Sequence, residues 1–518
     1  MIKEYWEISK RVARSANGVV VSQHHTASAV GARILAEGGN AMDAAIATSF
    51  AIGVVEPWMS GLGGGGMLLA ASPGQKQCSA LYFNMKSSSK TDVKNYPLVG
   101  GLSHDLFSWP AVLDDRNVHG PYSIAIPGQV AGMATAHAHW GSIPWKELIQ
   151  PSIELCQQGL DVDWMSTLRI AAAASGLRRY SGHHIYLPDG EVPAGQWGGP
   201  APKIINQQLT STLQQLASAG ARDFYSGDIA CSILSDAKEQ DITLTADDLY
   251  SYRPIWKDPL SVSYKNHTVS LVPGLTGGPS LGFVLEQMEK GETQVADGPD
   301  GSYFTRIADA LDKTFKQRIN GSGESESSPG CTTHINVVDR GGHTVSLTQT
   351  LLSVFGSKLT LPKSGILMNN GMMWFDPEPG KENSIGMDKY PLCNMCPAII
   401  CSDEGKQYAV GSSGGRRIVG AVAQLTLWLT EFGMDIESAM TQPRIDVSGN
   451  DSVYVDTRLA ENIYACLAEQ HSAERAQSTI YPNLFACPNV ASWSNETGAE
   501  GMPFIYSPLA AAVSADDV

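Results

Sequence analysis

Long apolar runs are missing from this sequence. The longest, Ile463 to Ala468, has six residues, far below the about 20 that a bilayer-spanning helix needs. Met1 to Glu7 is charged and has no apolar centre, so no secretory leader is expected, and the reading is of a cytoplasmic protein without a membrane partner. Positive charge is scarce as well. Lys and Arg number 36 against 52 Asp and Glu, a net charge of −16, which excludes nucleic acid and anionic lipid as natural partners. Cysteine is present without forming a framework. Nine cysteines lie scattered over 518 residues, an odd set that suits reduced thiols. The CxxC at Cys393 to Cys396 has no second Cys/His pair nearby, so no zinc site is expected. The glycine run Gly61 to Gly66 lacks the Lys-Ser/Thr ending and following helix of a phosphate loop. It leads into apolar Met67 to Ala71, where glycine lets backbone pack close to a site or a second strand.

What is present describes a soluble globular chain, 43% hydrophobic with a mean hydropathy of −0.11. Val19 to Ser22 reads as a strand, and Thr26 to Glu37 as a helix stopped by Gly38-Gly39. Asn40, with Asp43 three residues on, caps a helix that is apolar nearly all round and therefore buried, running to Glu56-Pro57. Helical spacing recurs over Gln129–Trp140, Trp145–Gly159, Leu209–Gly220, Gly282–Met288 and Phe304–Ile319. Beyond 332 the chain is strand-rich: Ser364 to Pro377 reads as a strand ending in a loop, and Ala398 to Cys401 as another. No linker of domain-separating composition intervenes, so one packed α/β unit is expected.

The most informative stretch begins at Cys331. Two β-branched runs, Thr332 to Val338 and His343 to Thr350, flank an Asp-Arg-Gly-Gly turn and read as a β-hairpin. That pairing sets Thr350 opposite Thr332, or one residue off, so that two hydroxyls meet at the open end. Upstream, Asn320 to Gly330 has no large apolar side chain and reads as an exposed loop. A polar loop joined to a buried, threonine-led strand makes sense if the chain is cut between Cys331 and Thr332. Thr332 would then carry a free α-amine of reference pKa about 7.7–8.0. That amine can take the hydroxyl proton as the oxygen attacks a carbonyl. An ordinary hairpin after an ordinary loop is the competing reading. Farther on, Tyr408 to Arg417 is strand, glycine-rich turn and helix start, where outward-pointing amides favour negative charge and suit an oxyanion hole, or simply form a tight turn.

With these segments placed, the chain resembles the γ-glutamyltranspeptidase family over nearly its whole length. The resemblance rests on Ala41-Met42-Asp43-Ala44-Ala45, Gly61 to Gly66, Pro127 to Gly132, Pro391-Leu392, Gly411 to Arg416, Gln442-Pro443-Arg444 and above all Thr332-Thr333-His334. It implies an N-terminal-nucleophile hydrolase with a four-layer αββα sandwich. It also implies a proenzyme that cuts itself into a large subunit, 1–331, and a small subunit, 332–518, which stay together and leave room for a homo-oligomer of the pair. Thr332 would be the nucleophile, Thr350 its hydroxyl neighbour, and Gly414 and Gly415 the oxyanion amides, with no cofactor or metal.

The departures from the family concern substrate. Asn84 stands where the family has an Arg that holds the glutamyl head, with Lys86 the nearest cation. Leu352 replaces an Asn, Gly371 a Gln or Glu, Trp374 an Asp, and Cys393-Asn394 a Ser-Ser pair. A buried ammonium or carboxylate without partners is costly, so the substrate pocket reads as one for a small-molecule amide other than a γ-glutamyl one. Met372, Met373 and Trp374 suggest either a flatter, apolar acyl pocket or ordinary core. The reading is thus an amidohydrolase or acylase, of oxamate or cephalosporin-acylase type. A glutathione hydrolase or γ-glutamyltransferase and a non-catalytic binding descendant are the alternatives. The acyl part is expected to be small or flat and to carry at most one negative charge, read by Lys86, Arg416 or a neighbouring cation.

Overall fold

The computed structural model describes residues 8–73, 75, 77–103, 107, 109–196, 198–290, 298–318, 331–448, 452–481 and 483–518. The polar stretch 320–330, read above as an exposed loop, lies outside the described residues. Two seven-stranded antiparallel sheets form the centre. Their strands, in chain order, are β1 (Ala13–Ser15), β2 (Gly18–Ser22), β3 (Gly65–Ala71), β4 (Ser79–Phe83), β5 (Ile255–Lys257), β6 (Leu260–Tyr264), β7 (His267–Leu271), β8 (Cys331–Asp339), β9 (Thr344–Leu352), β10 (Ala398–Ser402), β11 (Gln407–Ser413), β12 (Cys487–Ser494), β13 (Gly498–Pro503) and β14 (Ala511–Ser514). One sheet has the order β14-β2-β8-β9-β3-β4-β5, the other β1-β13-β12-β11-β10-β7-β6. β8 and β9 of the first stack against β11 and β12 of the second.

Helices cover the outer faces. α1 (His25–Ala36) and α2 (Ala41–Val55) pack with α3 (Gln129–Trp140) and α4 (Trp145–Gln158) on the first sheet, and their buried residues form one apolar cluster. α5 (Gly278–Glu289), α6 (Gly301–Arg318) and α7 (Arg417–Thr430) form the second cluster on the other sheet. This is the αββα sandwich. α2 begins in a capping box, Asn40 Oδ1 accepting from Asp43 N–H at 3.0 Å and Asp43 Oδ2 from Asn40 N–H at 3.1 Å. Every side chain it carries is buried, which is why its sequence is apolar on all sides.

Ser364 to Pro377 does not form the strand its apolar run suggested. Only isolated bridges and a 3-10 turn, Gly371–Trp374, appear. Asn369 and Asn370 explain this by satisfying backbone in place of a ladder. The Asn369 amide donates to Gly63 O at 2.7 Å and Ala125 O at 2.9 Å, and its Oδ1 accepts from Ala125 and Gly371 N–H. The Asn370 amide reaches Val118 O at 2.9 Å.

Candidate active site

The hairpin β8–β9 keeps a constant register from Val338↔Thr344 to Thr333↔Gln349. It then slips by one residue, so that Cys331 lies opposite Leu352. The slip falls at Thr332. It brings Thr350 to the Cys331–Thr332 peptide instead of to the Thr332 hydroxyl. Thr350 Oγ1 donates to the Cys331 carbonyl at 2.5 Å and accepts from Leu352 N–H at 2.8 Å. Thr332 is 5% exposed, and no described residue bonds its hydroxyl. Leu352 is held at φ +89°, a region leucine rarely enters. Its neighbours fix it there, since Leu351 N–H donates to Met59 O at 2.9 Å and Asn370 N–H to Leu351 O at 3.1 Å.

Three contacts set the level of the second sheet. Thr344 Oγ1 donates to Gln407 Oε1 at 3.1 Å, Ser346 Oγ donates to Val410 O at 3.1 Å, and the His334 ring lies over Gly411. A Cβ at Gly411 would come within 2.4 Å of three ring atoms, so only glycine fits beneath that imidazole. One further step along each strand reaches Thr332 on β8 and Ser413 on β11, with Gly414 and Gly415 just beyond. These two have φ of +137° and +62°, and a Cβ on Gly414 would meet the Ala486 methyl at 2.7 Å. Their carbonyls accept from Arg417 and Ile418 N–H at 3.3 Å, turning the chain into α7. Neither of their own N–H groups has an acceptor among the described residues.

His334 locks the two sheets together. Its Nε2 bonds Asn336 Oδ1 and its Nδ1 bonds Thr348 Oγ1, each at 2.9 Å. Asn336 gives its Nδ2 to Asn489 O, so its Oδ1 must accept, and His334 therefore carries its proton on Nε2. Burial pushes the His334 pKa down to about 4, keeping the ring neutral. Around Cys331 stand ionisable groups that the sequence reading did not single out. Burial raises the Glu56 carboxyl to about 8, and its Oε2 has no hydrogen-bond partner. Burial lowers the Lys358 ammonium to about 8, where it donates to the Val354 and Gly356 carbonyls. The Cys331 thiol is pushed up to about 12 by burial and is inert. The signal for Glu56 was its place at the end of an otherwise apolar helix.

The expected substrate positions divide. Leu352, Met372, Met373, Trp374 and Cys393 share one apolar cluster with Tyr82 and Met85, and Gly371 packs against Met85. Asn84 is fully buried and its amide is occupied locally, accepting from Met85 N–H at 2.8 Å and donating to Tyr82 OH at 3.3 Å. Lys86 is paired with Asp388 at 2.8 Å. Asn394 is buried beside Cys393. Arg416 donates to Phe107 O at 2.6 Å.

The sequence profile of γ-glutamyltranspeptidase matches residues 27–328 and 320–482. The chain belongs to the γ-glutamyltranspeptidase family. Among members of that family, the glutathione hydrolase proenzyme of Bacillus subtilis is 26% identical over 88% of this chain and 85% of its own length. The acylase ACY 1 proenzyme of a Pseudomonas species is 27% identical over 90% of this chain and 89% of its own. The cephalosporin acylase of Bacillus halodurans superposes with a TM-score of 0.84, covering 99% of both chains at 20% identity, which shows the shared N-terminal-nucleophile hydrolase fold. Helicobacter pylori γ-glutamyltranspeptidase gives 0.52 at 26% identity, over 61% of this chain and 86% of that one. The protein is thus an enzyme, a hydrolase of this family. Among the described residues no helix is long and apolar enough to cross a membrane, and no cluster of three His, Cys, Asp or Glu is arranged for a metal.

Proposed function

We propose that this enzyme is a self-processing threonine amidohydrolase acting on an acyl amide other than a γ-glutamyl one. The observation that carries this is the Thr350 hydroxyl on the Cys331 carbonyl. In processing, Thr332 Oγ1 attacks that carbonyl carbon, and Thr350 donates to the oxygen as it gains charge. The peptide C–N bond breaks, the nitrogen takes the hydroxyl proton, and an ester between Cys331 and Thr332 forms. The Thr332 amine is then free, and water hydrolyses the ester to release the Cys331 carboxylate and the Thr332 hydroxyl. In turnover that amine takes the Thr332 hydroxyl proton, the oxygen attacks the substrate carbonyl, and the Gly414 and Gly415 N–H groups receive the oxyanion. The amine product leaves with the proton, and water then releases the acid from the acyl-threonine.

The apolar cluster of Leu352, Trp374 and Cys393 supports a non-glutamyl acyl group, because it offers no ion for a glutamyl ammonium or carboxylate. Glutathione hydrolases of similar identity support the alternative. N-terminal sequencing of the smaller fragment tests the processing reading: it should begin at Thr332 and hold the 187 residues to Val518. An active preparation that stays uncut refutes it. Substrate choice is decided by comparing γ-glutamyl-p-nitroanilide with glutaryl and other dicarboxylic monoanilides. With two partners missing, the γ-glutamyl compound should be roughly a hundredfold poorer in kcat/KM.

A further inference from the structure

We infer that Cys78 and Cys401 form a site of oxidative modification, where a peroxide joins them in a disulfide. Cys78 belongs to the stretch 1–331 and Cys401 to 332–518, so the bond would tie the two proposed subunits together covalently. That cross-link rests on cleavage before Thr332; the pairing of the two thiols does not.

The pairing follows from how the sheets stack. On the second sheet, Thr268 and Ser270 of β7 lie opposite Cys401 and Ile399 of β10. Residues opposite one another, and residues two apart on a strand, share one face of a sheet. On the first sheet, Leu69 of β3 lies opposite Ala80 of β4, and Cys78 stands two residues before Ala80. Leu69, Cys78, Ala80, Ile399 and Cys401 fall in one buried apolar cluster. The two faces therefore meet there, and each delivers one cysteine. The Cys78 thiol hydrogen-bonds Cys401 and lies beside Ser270. Both cysteines are buried and free. The turn that carries Cys78 is fastened to the facing strands: Gln407 Nε2 donates to Ser72 O at 3.0 Å, and the Cys401 thiol to Gln75 O at 3.9 Å. Gln75 and Gln77 are exposed, so solvent lies on the other side of this turn.

The hydrogen bond with Cys401 holds the Cys78 thiol below its ordinary pKa, against the opposing effect of burial. Cys78 is therefore the attacking thiolate. Its sulfur attacks a peroxide oxygen, the O–O bond breaks, hydroxide leaves and takes up the thiol proton, and Cys78 becomes a sulfenic acid. The Cys401 sulfur displaces that oxygen: the S–O bond breaks, the S–S bond forms, and the oxygen leaves as water with the Cys401 proton. Two thiols and hydrogen peroxide give a disulfide and two waters, two electrons passing from sulfur to peroxide. Cys393 and Cys396 both follow Thr332, so a disulfide between them would leave the subunits separable.

The test treats processed enzyme with hydrogen peroxide, blocks remaining thiols with N-ethylmaleimide and runs a denaturing gel without reductant. Wild type should give a joined band at 55.3 kDa, which dithiothreitol splits into the two fragments. Cys78→Ser and Cys401→Ser should each abolish the joined band, and Cys396→Ser should keep it. Peptide mass mapping of oxidised wild type should find Cys78 linked to Cys401, which decides the matter even where a serine variant misfolds. Absence of the joined band, its survival in both serine variants, or a mapped link between other cysteines overturns the pair. A mapped Cys78–Cys401 link in a chain that stays uncut upholds the pair and overturns only the processing reading.

Discussion

The two ends of the β8–β9 hairpin are built from similar residues to different ends. At the closed end the ladder is regular, and Asp339 saturates the turn. Its carboxylate accepts from Gly341 N–H at 2.9 Å, His343 N–H at 3.0 Å and the Ala41 N–H that begins α2 at 3.0 Å. At the open end the register slips, Leu352 is forced to positive φ, and a threonine hydroxyl lies on a peptide carbonyl while the Thr332 hydroxyl has no partner among the described residues. Complete satisfaction at one end anchors the strands, so that departure from regular pairing at the other is held in place. The contrast separates residues that hold the fold from those proposed to carry the chemistry.

The strongest test of that contrast is Thr332→Ala. It should leave a folded, uncut 518-residue chain with activity reduced at least about 10⁴-fold, since no other group replaces the nucleophile. Thr332→Ser should keep part of both processing and turnover. A denaturing gel and an amidase assay read both variants, and normal cutting in the alanine variant would end the proposal.

Thr350→Ala removes the donor on the Cys331 carbonyl. Appearance of the small fragment should slow by about 10²-fold, as for loss of an oxyanion donor. Its melting temperature should stay near wild type. Wild-type cutting rates would mean that the slipped register has no part in processing.

At the closed end, Asp339→Asn should do the reverse. A neutral side chain accepts more weakly from three N–H groups, so unfolding stability should fall by about 1–2 kcal/mol with the cutting rate unchanged. Denaturant titration alongside a processing time course measures the pair. Similar slowing in Asp339→Asn and Thr350→Ala would erase the distinction between the two ends.

The smallest effect concerns His334, which links the hairpin to the second sheet. Its folded pKa of about 4 lies below the unfolded value of about 6.5. Between these the unfolded chain binds more protons, so stability should be full above pH about 6.5 and fall as pH drops toward 4. His24 and His119 are also held near 4 by burial and add to the slope. Urea midpoints at several pH values should therefore fall less steeply in His334→Gln than in wild type. Identical slopes would show that His334 does not contribute.

Much of the local structure was legible because its causes are local. The cap of α2, the glycine-ended α1 and the hairpin turn each follow from residues within one or two turns of chain. Ser364 to Pro377 was misread because its backbone bonds run to Gly63, Ala125 and Val118, distant positions that no periodicity encodes. The short edge strands β1 and β14 escaped notice because their pairing partners, β13 and β2, lie hundreds of residues away or at the opposite terminus.

The candidate site divides in the same way. By itself the sequence determined that a threonine-led hairpin follows a polar stretch, that a glycine turn opens a helix, and that the usual partners of a glutamyl head are replaced. Those facts are carried by residue type and short spacing. The one-residue slip, the Thr350 hydroxyl on Cys331 in place of Thr332 and the occupied Asn84 amide were decided only by tertiary structure. Each depends on which atoms from separate strands and helices compete for the same hydrogen bonds and the same space, and that competition exists only once the two sheets are stacked.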